Sequence, residues 1–275
     1  MCIRDRAKTV WNPSEWAYWQ WLVAVSIAIA LAERIRPARQ KQPALRRQLG
    51  NDLFYLAFHG HWYYLLFGGL IVSVAAPVSA SLDWLPQRLL DGRGFWLQFC
   101  VYLIVSDALQ WCVHRLLHGV PFLWKFHQVH HSVQEMDWAA NFRFHWMETV
   151  VYRSALYVPV ALCLGGDYPP LLTAWVFGTA WGHFNHANLN VGIGPLKYLF
   201  NSPRMHLWHH DASDEGGTAK NFGIVFSCWD WLFGTAYWPE DRPPERIGFP
   251  GDEAMPRDLP RQLAWPLVRG RPPAQ

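Results

Sequence analysis

Residues 95–131 read FWLQFCVYLIVSDALQWCVHRLLHGVPFLWKFHQVHH. The apolar run from Phe95 to about Val113 approaches the ~20 residues that a bilayer-spanning helix needs. At its end stand His114 and His118, and shortly after them His127, His130 and His131. A third cluster, His206-Leu207-Trp208-His209-His210, repeats the H-x-x-H-H spacing of the second. In a helix, residues i and i+4 lie one turn apart on one face. His114 and His118 therefore converge, and each H-x-x-H-H segment can serve two neighbouring centres. Imidazole is a ligand for iron, zinc and copper, and these eight exceed what one tetrahedral zinc takes. The pattern points to a two-metal centre beside apolar helices.

Composition agrees with a membrane setting. Hydrophobic residues make up 51% of the 275 and charged residues 16%, against ~25% in soluble domains. There are 18 Trp, a residue that gathers at membrane–water interfaces. The 24 basic residues form no nucleic-acid stripe, and no Gly-rich phosphate loop is present. The five cysteines, Cys2, Cys100, Cys112, Cys163 and Cys228, form no C-x-x-C pair. They read as small hydrophobes and supply neither a disulfide framework nor a thiolate site.

Three more apolar runs span about Trp16–Ile35, Leu53–Val78 and Thr149–Trp181. The last is interrupted by Gly165-Gly166-Asp167-Tyr168-Pro169-Pro170, which breaks it into a hairpin of two shorter helices. Ala30-Leu31-Ala32 resembles a signal-peptidase site. The flank that follows carries Arg34, Arg36, Arg39, Lys41, Arg46 and Arg47; such a flank marks the cytoplasmic side and favours a retained helix. With that loop inside, counting crossings brings His114, His186 and the third cluster to the cytoplasmic face. The expected fold is all-α: an integral membrane bundle of about four to five helices with a cytosolic-side helical cap. The segments are 1–94 (membrane helices and basic loop), 95–240 (catalytic) and 241–275, a Pro/Arg-rich tail expected to be irregular and exposed to water. His59 and His61, inside a predicted span, read as interfacial rather than as part of a lipid path.

Other residues extend the site. Either His183 or His186 can add a ninth ligand, with His186 preferred; Asn190, four residues on, can supply an oxygen or hold a water. Nine neutral imidazoles leave two divalent ions uncompensated, so carboxylates are expected to orient the imidazole N–H groups. The candidates are Asp107, Glu148, Asp211 and Asp214. Asp107 stands out because a carboxylate deep in an apolar helix is costly without a partner. Asp211 and Asp214 read as a solvated loop. His145 and Glu148 share a helical face, although an ion pair with Arg143 or Arg153 is equally compatible with the spacing.

The ordered motifs between about 95 and 240 resemble the fatty acid hydroxylase/sterol desaturase superfamily of membrane di-iron oxygenases. Beyond the clusters, the resemblance rests on Asp107, Arg115, Arg143-Phe144-His145-x-x-Glu148 and Asn201-x-Pro203. It also rests on Asn221-Phe222-Gly223 and Trp229-Asp230-x-Leu232-Phe233-Gly234-Thr235. Within the superfamily the chain is similar to the bacterial sterol-desaturase-like and alkylglycerol-monooxygenase-like branch. It departs from the pattern at Gln110-Trp111-Cys112, at Trp146 and at Asn190. The resemblance implies a multi-pass membrane enzyme that uses O2 and two iron ions, with zinc a possible substitute in purified protein. The implied reaction is hydroxylation or desaturation of a sterol, fatty acyl or ether lipid. Its ligands would be His114, His118, His127, His130, His131, His186, His206, His209 and His210, with Asp107 and Glu148 beside them. Electrons must come from outside, from a ferredoxin or cytochrome b5-type carrier drawn to Arg115, Lys125, Arg204 and the basic loop 34–47. The competing readings are a zinc-dependent membrane hydrolase and a non-catalytic metal-binding or transport protein. Against transport, the clusters sit at helix ends and not at mid-span.

Overall fold

The computed structural model describes residues 17–81, 88–152, 163–213, 220–239 and 242–268. Among these the chain is helical, with isolated β-bridges and no strand. Helix α1 (Tyr18–Ile35) leads through the basic loop to α2 (Leu49–Ala57). A π-helical turn, Phe58–Trp62, joins α2 to α3 (Tyr63–Ser81). Helix α4 (Phe95–Gly119) carries the first histidines and α5 (Pro121–His131) the second. After a 3₁₀ turn at Trp138–Phe142 come α6 (Trp146–Tyr152) and α7 (Tyr168–His186). The shorter α8 (Pro203–His209), α9 (Cys228–Leu232) and α10 (Leu259–Ala264) complete the chain.

Local chemistry sets the breaks. Pro121 and Pro203 open α5 and α8, where the missing N–H is not needed and φ is already helical. Gly165 and Gly166 have φ of +67° and +88°, values that only glycine adopts without strain. Gly166 sits against Gln98 and Tyr102, so the turn before α7 is seated on α4. Helix α7 is the central strut. It packs along α4, α1, α8 and the 3₁₀ turn.

The outer faces are apolar. Trp19, Val23, Ile27, Leu31 and Ile35 are all exposed and, four residues apart, form one stripe along α1. Its opposite face buries Leu22, Ser26 and Glu33. Leu65, Leu66, Leu70 and Val72 of α3 and Phe95, Trp96 and Leu97 of α4 are exposed as well. By length and composition α4 is able to cross a membrane alone. The segments Leu49–Trp62 and Leu65–Val78, bent by 56°, form a second candidate span. The expected four to five spans thus reduce to one or two by this criterion among the described residues. Helices α1 and α7 end in polar groups, and much of the first half of the predicted hairpin (153–162) lies outside the described residues.

Two sequence expectations are corrected. The tail is not a loose, exposed segment. Ile247, Phe249 and Met255 are buried, and Phe249 meets Trp124 edge-on at 5.6 Å between ring centroids. Trp265 Nε1 donates to the Lys125 carbonyl at 2.7 Å, and Gly248 N to the His210 carbonyl at 2.8 Å. The tail is a strap over the histidine-bearing helices. The basic loop, for its part, is not wholly free to meet a partner. Arg46 is buried between Asp52 (2.5 Å) and Asp137 (2.6 Å), and Arg143 binds the other oxygen of Asp52. Arg143 therefore pairs with Asp52 and not with Glu148. Arg153 and Asp214 lie outside the described residues.

Candidate metal centre

The nine histidines named from the sequence gather into two groups. His114, His118, His127, His131 and His209 form one; His130, His186, His206 and His210 form the other. Within each group the ligand atoms lie within 4.8 Å of one another. The division follows helical spacing. His127 and His131, one turn apart, face the first group, and His130 between them faces the second. His206 and His210 face the second group, and His209 the first. Neighbouring rings across the boundary are 4.4 Å apart for His131/His210 and 5.2 Å for His127/His130, so the two groups adjoin.

Three rings have a tautomer fixed by a backbone carbonyl, and a fourth faces the Glu148 carboxyl group. His114 Nδ1 lies 2.8 Å from the Phe222 carbonyl and His186 Nδ1 lies 2.8 Å from the Gly182 carbonyl. His209 Nδ1 lies 2.7 Å from the Lys220 carbonyl, and His127 Nδ1 2.7 Å from Glu148 Oε2. The three carbonyl oxygens only accept, so Nδ1 of His114, His186 and His209 carries the proton and each Nε2 presents a bare lone pair inward; Glu148, when ionised, holds His127 in the same tautomer. His114 Nε2 and His127 Nε2 are 3.2 Å apart, and with Glu148 ionised neither has a hydrogen to give. Two lone pairs face each other, an arrangement that a shared cation resolves. Metal–nitrogen bonds of about 2.0–2.1 Å set adjacent ligand atoms about 3 Å apart. His186 Nε2 likewise lies 3.3 Å from His130 Nε2 and 3.1 Å from His206 Nε2.

Buried nitrogens without partners point the same way. Among the described residues these include His118 Nε2, His209 Nε2 and both ring nitrogens of His131 and His210. Leaving such groups unpaired costs about 1–3 kcal/mol each, and their concentration in one place marks a site built for a ligand. Burial keeps the rings neutral, the form that binds metal. His127 is held down at about 3 by burial. His131 and His210 are pushed well below the usual histidine value by burial and then by neighbouring imidazoles.

The surrounding shell separates the remaining candidates. Glu148 holds His127, as expected of a carboxylate partner, and its Oε1 accepts from His145 N at 3.2 Å. Asp107, expected beside the imidazoles, hydrogen-bonds none of them among the described residues. It accepts from Val225 N (2.8 Å), Phe226 N (3.0 Å) and Trp229 Nε1 (2.9 Å), tying α4 to the 221–230 loop. Asp230 binds Phe222 N, Gly223 N, Trp111 Nε1 and Thr235 Oγ1 of the same region. Together they fix the loop whose Phe222 carbonyl orients His114. Asp211, read as solvated, is fully buried and is bonded to Ser213 N at 3.1 Å. His183 bonds Ser26 Oγ and Asn141 Nδ2, each at 3.1 Å, so it belongs to the α1–α7 contact. His145 Nε2 donates to the Leu263 carbonyl of the strap at 3.0 Å. Asn190 is exposed. The carbonyls of Phe222 and Lys220 carry no sequence signal of their own; the motif residues Asn221-Phe222-Gly223 and Asp230 hinted at that loop without naming the contact.

A cavity of about 550 Å³ leads to the imidazoles. His114, His127, His130 and His186 line its inner end. Leu65, Leu103, Tyr168, Ala174, Trp175 and Val225 line its walls, and Trp19 and His61 stand at its edge. His61 thus borders the cavity, whereas His59 is buried and bonds the Phe144 carbonyl at 2.8 Å. The volume is within the ~300–1,000 Å³ of small-molecule sites.

The fatty acid hydroxylase sequence profile matches residues 99–235, the span that carries all nine histidines. Ornithine lipid hydroxylase OlsE of Rhizobium tropici is 31% identical over 255 residues, covering 88% of this chain and 72% of the relative. The chain belongs to the fatty acid hydroxylase family. Alkylglycerol monooxygenase of Caenorhabditis elegans is 27% identical over 62% of the chain, and methylsterol monooxygenase 1 of Rattus norvegicus is 27% identical over 48%. The chain spans only 32% and 44% of those two proteins. No solved structure matches. Family membership makes the chain an oxidoreductase by descent, its relatives being named as hydroxylases and monooxygenases.

Glu148 yields a local prediction. Glu148→Leu leaves His127 Nδ1 without its acceptor, and metal affinity is expected to fall about 10–100-fold. Competition with a chelator measures it, and an unchanged affinity contradicts the role.

Proposed function

We propose that the protein is an O2- and iron-dependent oxygenase that hydroxylates or desaturates a membrane lipid. The observation that carries this is the pair of adjoining imidazole groups at the inner end of an apolar cavity. Five histidines would hold one ion and four the other. Iron bound there supplies reduction of O2 and removal of hydrogen from an unactivated C–H bond. The chain supplies the rest. Apolar walls exclude water and lay the substrate's chain beside the imidazoles. Phe222, Gly182, Lys220 and Glu148 hold each Nδ1 proton in place so that Nε2 stays available. The exposed stripe on α1 and the exposed faces of α3 and α4 fit contact with lipid, in a multi-pass arrangement whose metal site faces the cytoplasm.

The test is donor-dependent O2 uptake by the purified protein with membrane lipid. Iron-loaded protein is expected to consume O2 only with lipid and an electron donor. Zinc-loaded protein should be inactive, because zinc has no redox chemistry. Repeated lipid oxidation with no electron donor would overturn the reading.

The electron carrier would be an acidic ferredoxin or cytochrome b5-type protein. Arg115 and Lys125 are exposed near the histidine helices, and Arg34, Arg36, Lys41 and Arg47 keep the basic loop positive around the buried Arg46. Attraction over such distances is screened within about 8 Å at physiological salt. Lys125→Glu is therefore expected to raise the half-saturating carrier concentration several-fold at low salt, and the difference should shrink as salt rises. Equal carrier requirements for both proteins at low salt would contradict this docking face.

A further inference from the structure

A separate apolar surface lies away from the cavity, on α9 and the 3₁₀ turn Gly194–Tyr198. Trp231, Leu232 and Phe233 are exposed there, and so are Leu196, Tyr198 and Leu199. They form one patch. The Tyr198 and Trp231 ring centroids are 4.8 Å apart, and Trp231 Nε1 donates to the Lys197 carbonyl at 2.9 Å. Large apolar side chains gathered on the outside of a protein mark a contact surface. Segments 194–204 and 228–239 carry three charged side chains, Lys197, Arg204 and Asp230, and Asp230 is buried. Lys197 Nζ lies over the Tyr198 and Trp238 rings at 5.5 and 5.2 Å, and the Arg204 guanidinium over Trp238 at 5.6 Å. Within these segments the surface is apolar and aromatic, with a positive rim and no exposed carboxylate.

Helix α4 sets the depth of this surface. Phe233 stacks on Trp111 at 4.7 Å between ring centroids. Trp111 Nε1 and Trp229 Nε1, each at 2.9 Å, donate to Asp230 and Asp107. Phe95 and Trp96 open α4 with exposed rings, as at one edge of a bilayer. A rise of about 1.5 Å per residue puts Trp111 about 24 Å and Arg115 about 30 Å from Phe95. The hydrocarbon core is about 30 Å thick. Arg115, exposed and 5.4 Å from the Trp111 ring centroid, then stands at the headgroups, and Phe233 lies about one turn inside them.

We propose that α9 and the 194–199 turn form a second membrane contact. Trp231, Leu232 and Phe233 dip into the headgroup–acyl boundary of the leaflet on the histidine side of α4. Lys197 and Arg204 sit among its anionic headgroups. Lipid is favoured over a second copy of the chain or a carrier protein because the patch is continuous with the flank of α4. A protein partner would have to enter the bilayer to reach Phe233. The loop leading into α9 also supplies the Phe222 carbonyl that orients His114, so the leaflet surface sets the level of the histidine centre. This inference rests on the membrane placement of α4 given under the proposed function, and not on the oxygenase chemistry.

The test places a benzophenone amino acid at Leu232 of the full chain, reconstituted in vesicles of phosphatidylcholine and phosphatidylglycerol. Leu232 is 71% exposed, so the fold is expected to accept the label. A label at Leu199, across the Tyr198–Trp231 contact, is read in parallel, so that misfolding at one position does not decide the result. Ile27 on the α1 stripe is the bilayer control, and Lys41, exposed in the basic loop, is the water control. After illumination, mass spectrometry identifies what each label has captured. Positions 232 and 199 are expected to capture phospholipid about tenfold more than position 41, with the new bond at glycerol or upper acyl carbons. Lipid capture at 27 but at neither 232 nor 199 would overturn the inference and leave the membrane placement standing. Capture of a second chain at 232, or of an added ferredoxin, would overturn it in favour of a protein-docking surface. No lipid capture at 27, 199 and 232 alike would overturn both the inference and the membrane placement. Lipid capture at 232 and 199 by protein that shows no donor-driven O2 uptake would support the inference while the oxygenase reading falls.

Discussion

His186→Ala is expected to reduce bound metal from two ions per chain to one and to lower turnover by at least a hundredfold. The second group has only four imidazoles, and His186 is the one whose Nε2 lies within 3.3 Å of two others. Removing it leaves three ligands, with no carboxylate in that group among the described residues. His118→Ala should be milder, because four imidazoles remain in the first group and His118 is the member of that group that keeps part of its surface exposed. His131→Ala should resemble His186→Ala in activity, since His131 stands where the groups meet, 4.4 Å from the His210 ring. All three proteins should still insert in the membrane, because the helices carry most of the packing. Metal analysis with donor-driven O2 uptake checks the series. Near-normal turnover in His186→Ala or His131→Ala would contradict the ligand assignment.

Asp52→Ala is the expected structural lesion. Asp52 is fully buried between Arg46 and Arg143, themselves buried. Removing it strands guanidinium charge in the interior, where breaking a buried pair costs about 3–5 kcal/mol. Arg46 retains Asp137 through two bonds of 2.7 and 2.6 Å, so the damage centres on Arg143. Arg143 also touches Ser132, the residue after His131, at 3.3 Å. Loss of folded protein, and a lower melting midpoint in the fraction that folds, should therefore come with weaker metal binding. Arg88→Ala is the contrasting case. Its pair with Asp91 is exposed, and such pairs contribute little. If both variants melt alike, the network does not stabilise the fold.

The histidine centre was legible because its information is local. Spacings of three and four residues fix which rings share a face, and the two H-x-x-H-H segments divide between the groups as helical geometry requires. His186 was separable from His183 only as a preference, because both sit on one helix. Their difference lies in what α1 brings to His183, namely Ser26. Helical content followed from the long apolar runs and the breaks at proline and glycine. Pairings between distant segments were not legible. Nothing local to Asp107 says that its oxygens reach the backbone 118 residues later. Arg46 looks like one more member of a basic flank until Asp137 is placed against it. The tail's Pro/Arg composition suggested exposure, yet a few residues, Phe249, Met255 and Trp265, suffice to dock it. Glu148 was one of four carboxylates offered beside the site, and its contact with His127 rather than Arg143 follows from α2, which brings Asp52 to Arg143.

The central claim is that nine imidazoles surround two iron ions. X-ray absorption spectroscopy of iron-loaded protein tests it most directly, because imidazole rings give characteristic outer-shell scattering. Between four and five imidazoles per iron are expected, as nine ligands shared by two ions require. One or two imidazoles per iron, or a coordination sphere made mainly of oxygen, would contradict the account.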